Sequence, residues 1–152
     1  MKIEKDEASI LVMFCASLGG EPVTERMYAI RQNDGNYILD NSPFYAYEIS
    51  WGDKFSAQFI DGALAFQSII ERSGHSTYRI RLPVGRNQDY FELNFVKLAL
   101  LGCTYEGSSG SPARLYSVDI PPNIDIAACY AELEAGEKSG IWSFEEAHYF
   151  VR

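Results

Sequence analysis

Few side chains in this 152-residue chain are equipped for chemistry: two histidines, three cysteines, and carboxylates crowded toward the C-terminus. His75 lies in a Ser-Gly-His turn. Asp53 follows Trp51-Gly52 and Glu106 precedes Gly107, both at strand–turn junctions where a carboxylate can serve as a general acid or base. If His75, Asp53 and Glu106 converge, they define a pocket for a small enzyme or ligand-binding domain. His148 follows two glutamates in an extended run. Neither histidine has the HxxE or HExxH spacing that places two ligands on one helix face, so no metal is expected. Cys15, Cys103 and Cys129 are odd in number, far apart and set in apolar runs, which reads as reduced core thiols. Burial raises a thiol's pKa and makes Cys103 a poor nucleophile. The chain has no GxxxxGK[ST], no GxGxxG after a strand and no GxSxG, so nucleotide, dinucleotide and hydrolase chemistry lack their apparatus and no cofactor is expected.

Charge supplies a different candidate. The formal net charge is −8 and the sequence pI is about 4.7, so a phosphate backbone would be repelled and direct nucleic-acid binding is disfavoured. Between Asp119 and Phe150 seven acids face one base, Lys138, a net of −6. If Ile141 to Glu146 is a strand, Trp142, Phe144 and Glu146 share one face, while Ser143 and Glu145 share the other. Together with Glu132, Glu134 and Glu137 on a preceding helix, and bordered by Tyr105, Tyr149 and Trp142, Glu145 and Glu146 have the composition of a docking surface for a basic protein.

These groups must be positioned by the elements around them. Hydrophobic residues are 47% and charged residues 22% of the chain, the composition of a packed globular protein. Residues 9–16, 25–32, 36–39, 45–50, 54–60 and 63–70 are short aromatic and β-branched runs separated by turn signals at Leu18-Gly19-Gly20, Asn33-Asp34-Gly35, Asp40-Asn41-Ser42-Pro43, Trp51-Gly52-Asp53 and Asp61-Gly62. Asp34-Gly35 and Asp61-Gly62 predict tight hairpins. Past Ser73-Gly74-His75 the pattern changes. A strand at 76–82 is followed by a helix over 89–101 with Phe91, Phe95, Leu98 and Ala99 inward and Gly102 at its end. Strands at 103–106 and 114–120 flank the Gly107-Ser108-Ser109-Gly110 turn. A second helix, capped by Asn123 or Asp125, turns Ile126, Tyr130 and Leu133 inward and ends at Gly136 or Gly140. A strand over 141–150 completes the order. The expected fold is therefore α+β: an antiparallel β-rich half over 1–73, a small barrel or curled sheet, packed on a ferredoxin-like βαββαβ half over 74–152.

Ile10 to Ala16 is apolar but short and follows Glu4, Asp6 and Glu7, unlike a secretory signal. No run reaches the ~20 apolar residues of a membrane span, so a cytoplasmic protein is expected. The blocks Asn41 to Tyr47, Trp51-Gly52-Asp53, Ser73 to Thr77, Leu101 to Gly107, Val118 to Pro122, Gly136-Glu137 and Gly140 to Glu146 resemble a bacterial domain family catalogued as of unknown function, number 4265. The likeness runs from about Val12 to Glu146 and departs from the pattern in a longer Asn87–Tyr90 approach to the first helix. The resemblance implies no catalytic residues. A small, acidic, lone domain without catalytic apparatus also looks like an immunity protein, monomeric when free, that occludes the active site of a basic toxin such as a nuclease. A carboxylate plug would be steered into such a cleft.

Overall fold

The computed structural model describes residues 9–18, 20–108 and 114–151. The expected turn residue Gly19 and the Ser109-Gly110 part of the later turn lie outside them. Strands β1 (Ser9–Leu18), β2 (Glu21–Arg31), β3 (Tyr37–Leu39), β4 (Lys54–Ile60) and β5 (Ala63–Glu71) form a closed barrel in chain order. Neighbours are antiparallel, and a parallel bridge between Met13 and Ala65 joins β1 to β5. Closure removes the exposed edges that an open five-stranded sheet would present. Alternation sends Val12, Phe14, Met27, Ala29, Leu39 and Phe55 inward, and Phe14, Phe55 and Phe66 meet with ring centroids 5.2 to 5.6 Å apart. Asp61 and Gly62 take φ of +50° and +80° in the β4–β5 turn, and Gly35 takes +86° before β3, as the two hairpin signals predict. Cys15 departs from expectation, because it falls on the outward row of β1 and is exposed.

Residues 45–50, expected as a strand, are irregular. They belong to a long connector, residues 40–53, that joins β3 to β4. The reason lies in β2. Glu25 sits on its inward-facing row, and its carboxylate accepts the backbone N–H groups of Phe44, Tyr45 and Ala46 at 2.7, 3.1 and 2.8 Å. Those three donors point at one anion rather than outward into a ladder, and Ala46 and Ile49 join the barrel core.

The second half runs β6 (Ser76–Arg81), α1 (Gln88–Leu101), β7 (Thr104–Gly107), β8 (Leu115–Ile120), α2 (Ile126–Lys138) and β9 (Ser143–His148). Its four strands form an antiparallel sheet in the order β7-β8-β6-β9. Asn87 caps α1 by accepting from Tyr90 N–H, and Gly102 ends it at φ +109°. Asp125 rather than Asn123 caps α2, and Ser139 ends it, with Gly136 inside the helix. Phe91, Phe95 and Leu98 are buried as expected, but Ala99 is exposed. On α2 the buried residues are Cys129, Leu133 and Gly136. Tyr130 is exposed and rests its ring edge-on against Phe144.

The two faces of this sheet differ in chemistry. Tyr78, Ile80, Tyr116 and Val118 turn toward the helices and form the apolar core, where Phe91 and Tyr116 stack at 3.6 Å. Thr77, Arg79 and Ser117 turn toward the connector. An irregular segment laid against a sheet brings backbone polar groups that need partners, and these side chains supply them. Arg79 donates to Ala46 O at 2.7 Å and Ser117 Oγ to Pro43 O at 2.7 Å, while Ser42 bonds Ser117 and Ser50 bonds Thr77, each at 2.6 Å.

Candidate functional site

A cleft of about 340 Å³ opens where the connector, the Ser73-Gly74-His75 joint and the sheet edge meet. Ser42 and Trp51 line it from the connector, His75 from the joint, Thr104 and Glu106 from β7, and Asp119 from β8. That volume lies within the range of small-molecule sites. The joint is locally constrained. Gly74 adopts φ +92° with Pro122 so close that a Cβ would meet its side chain at 2.9 Å, so a larger residue would push His75 out of place. Ser73 Oγ donates to Trp51 O at 2.7 Å, and His75 N–H donates to Ser73 Oγ at 3.2 Å.

His75 Nδ1 lies 2.8 and 3.0 Å from the two oxygens of Asp119, and both side chains are largely buried. The Trp51 ring sits 5.0 Å from the imidazole. A carboxylate facing Nδ1 favours the tautomer with hydrogen there, which leaves Nε2 as the acceptor. This is the arrangement of an oriented general base or of an acceptor for a ligand N–H or O–H. Among the described residues no lysine or arginine lines the cleft. Among the described residues no group of three or more side chains is placed to hold a metal ion.

Of the three side chains expected to converge, the structure brings together His75 and Glu106. Asp53 is fully buried elsewhere, where its carboxylate accepts Ser50 N–H (2.9 Å), Ser73 N–H (2.8 Å) and Arg72 Nη1–H (3.0 Å). It fixes the end of the connector and the start of the joint, and so positions the cleft from behind. The carboxylate that meets His75 is Asp119, in a strand distant in sequence. Its pairing with Thr77 and Thr104 in register is what places it there.

The acidic docking residues are dispersed. Glu145 turns toward the connector, where it accepts from Arg79 Nε (2.7 Å) and the Tyr47 hydroxyl (2.8 Å). Glu146, on the opposite face, accepts from the Tyr78 hydroxyl at 3.0 Å. Glu134 pairs with Lys138, and Glu137 accepts Phe144 N–H at 2.9 Å. Trp142 is buried and donates Nε1–H to Leu133 O at 3.0 Å. Glu132 borders a groove beside it. Tyr105 packs its ring on Phe91 and Phe95, and its hydroxyl reaches Glu92. Tyr149 is half exposed and shares a shallow depression with Glu146, Tyr78 and Tyr130.

His148 is the second buried imidazole. Its Nδ1 lies 2.7 Å from Ser50 Oγ. Burial, reinforced by the nearby Arg72 charge, lowers its pKa from the ordinary value, while Asp53, Glu48 and Glu146 oppose the shift. A histidine lowered in the folded state binds its proton more readily once unfolded. Its contribution to stability is therefore complete above a pH of about 6.5 and is lost as the pH falls toward the folded value. Urea midpoints should fall between pH 7 and pH 5 in the wild type, with a flatter slope in His148→Gln. Equal slopes would remove His148 from the account. Cys103 and Cys129 lie 3.4 Å apart at sulfur, and burial pushes both thiols up.

A barrel joined to a two-helix sheet, with a polar seam and a cleft at its edge, defines a bipartite α+β protein. A profile of the family described as "Domain of unknown function (DUF4265)" matches residues 25–144, and the chain belongs to that family. The fold is similar to a solved structure described as "Novel crystal structure of a hypothetical protein from Neisseria gonorrhoeae". The two are 18% identical, with a TM-score of 0.79, over 97% of this chain and 100% of that one. No curated protein matches the chain. Among the described residues no helix is long and apolar enough to cross a membrane.

Proposed function

We propose that the protein binds a small ligand in the seam cleft, with His75, oriented by Asp119, as the group that exchanges a hydrogen bond or proton with it. The observation that carries this reading is convergence. Ser42, Trp51, His75, Thr104, Glu106 and Asp119 come from five separate stretches of chain and line one cavity. Each of those stretches is also among the blocks on which the family likeness rests. The reading treats residues 1–73 and 74–152 as two halves. The all-antiparallel order β7-β8-β6-β9, with helices after β6 and β8, supports a ferredoxin-like second half.

The test is a library of neutral and cationic fragments, followed by NMR on the backbone amides and imidazole groups. Perturbations should cluster on Trp51, His75, Thr104, Glu106 and Asp119. His75→Gln and Asp119→Asn should each weaken the best fragment about tenfold or more, the scale of a hydrogen bond to a charged or oriented group. Hits that never gather at these residues would end the proposal.

The toxin-neutralising reading draws support from the net charge of −8 and from Glu146 beside Tyr130 and Tyr149 in one depression, an acidic and aromatic pair suited to a basic side chain. Glu146→Lys separates the two ideas. It should abolish capture of a basic nuclease domain under the toxin reading and leave fragment binding untouched under the cleft reading.

A further inference from the structure

The end of the sheet away from the seam cleft carries the opposite chemistry. Arg81 at the end of β6 and Arg114 just before β8 line one groove of about 450 Å³ with Tyr45 and Ser108, and no carboxylate is among the described residues that line it. In a chain of net charge −8, two arginines therefore border one groove with no acid among its described lining residues. Arg114 is anchored, since its Nε and Nη2 donate to Leu82 O at 3.2 and 2.9 Å. The neighbouring backbone is fixed by Leu82 N–H to Arg114 O at 2.8 Å and Ser108 N–H to Leu115 O at 2.9 Å. Arg81 is exposed and has no ion-pair partner among the described residues.

We infer that this groove is a binding site for a phosphate-type oxyanion, separate from the seam cleft. Guanidinium forks match tetrahedral oxyanions through paired N–H···O bonds. Anchored Arg114 offers its remaining donors at a set position, Arg81 closes from the facing strand, and the hydroxyls of Ser108 and Tyr45 add donors. The shared chemistry is a phosphate dianion, whether free or as the ester of a small molecule. Tyr45 at the rim offers a ring for an attached aromatic group.

The test uses the full chain titrated with inorganic phosphate and with phenyl phosphate, each against sodium chloride at matched ionic strength, following the arginine Nε–H and Ser108 amide resonances. Saturable shifts at Arg81, Arg114 and Ser108 with phosphate but not chloride are expected, and Arg81→Gln should weaken binding about tenfold or more. Arg81 makes no ion pair among the described residues, so this variant leaves the fold intact. Arg86→Gln is the control, because Arg86 lies over the Tyr90 ring at 4.5 Å outside the groove and should leave the affinity unchanged. Tighter binding of phenyl phosphate than phosphate identifies an ester as the ligand, and equal binding identifies the free ion. Shifts that follow ionic strength alone, or that survive Arg81→Gln, would overturn the assignment.

Discussion

Glu25→Ala is expected to lower the stability of the protein by on the order of 4 kcal/mol and to release the connector that walls the cleft. The carboxylate of Glu25 is buried and accepts three consecutive backbone N–H groups, those of Phe44, Tyr45 and Ala46. Truncation leaves these buried and partly buried donors without an acceptor, and each buried unsatisfied group costs about 1–3 kcal/mol. Some of that cost is recovered if water enters the barrel mouth, which sets the estimate below the full sum. Glu25→Gln should lie between wild type and Ala, because its single carbonyl oxygen can hold part of the set. Urea denaturation gives the stability, and hydrogen exchange at the three amides gives the mechanism. In the Ala variant those amides should exchange through local opening while Met27 and Phe55 stay protected. A loss under about 1 kcal/mol with protection retained would show that the connector is held by other contacts. The same variant should weaken fragment binding, since Ser42 and Trp51 ride on the connector.

Much of the fold was legible in the chain because local rules and the tertiary structure agree there. The Asp34-Gly35 and Asp61-Gly62 signals mark real hairpins, and Phe91, Phe95 and Leu98 face the core as their spacing requires. The connector misled for a physical reason. Its Tyr-Ala-Tyr-Glu-Ile-Ser run has strand composition, but its backbone donors are claimed by a glutamate twenty residues upstream, which no local pattern reveals. The site was half visible. His75 stands at the turn where the sequence pointed and Glu106 near the end of β7, while Asp53, at the same kind of junction, is buried away from the cleft. Asp119 went unnoticed as a partner because only the β6–β8 register brings it to the joint. In the acidic stretch the alternation expected over Ile141 to Glu146 holds. Glu145 and Glu146 are adjacent in sequence, and strand alternation sends them to opposite faces of the sheet.

That dispersal also explains why charge is a poor guide to this molecule's surface. The connector-facing side of the second sheet carries Arg79 in place of an apolar residue, with its side chain almost fully buried and paired to Glu145 at 2.7 Å. Because Glu145 stays half exposed, the pair is screened by water on that side and adds little net stability, but it penalises any packing that leaves the buried guanidinium alone. Here it fixes the register between β6, β9 and the connector, because the same guanidinium also holds Ala46 O and lies 4.4 Å from the Tyr47 ring. Glu145, which looked free for a partner in sequence, is thereby spent on aligning the sheet with the connector that walls the cleft.

Gly136→Ala should destabilise the protein by several kcal/mol, against the sign of the usual helix effect. In an exposed helix interior, replacing glycine by alanine gains about 1 kcal/mol. At Gly136 a Cβ would meet Trp142 Cε2, Nε1 and Cζ2 at 2.4, 2.5 and 2.6 Å, well inside van der Waals contact with a rigid indole. Trp142 is buried against α2, and its Nε1–H is committed to Leu133 O. Moving the ring away would break that bond and open a cavity of the kind that costs about 3–5 kcal/mol when a large aromatic is lost. A double-mutant cycle decides the cause. Trp142→Leu alone should cost about as much as other large core truncations. Adding Gly136→Ala to it should then be neutral or stabilising, because the methyl fills vacated space and the helix preference reasserts itself. If Gly136→Ala is as damaging without the indole as with it, the close approach of helix and ring is not the reason for the glycine. Trp142 would then be freer than its packing indicates, and its place in a docking surface would reopen.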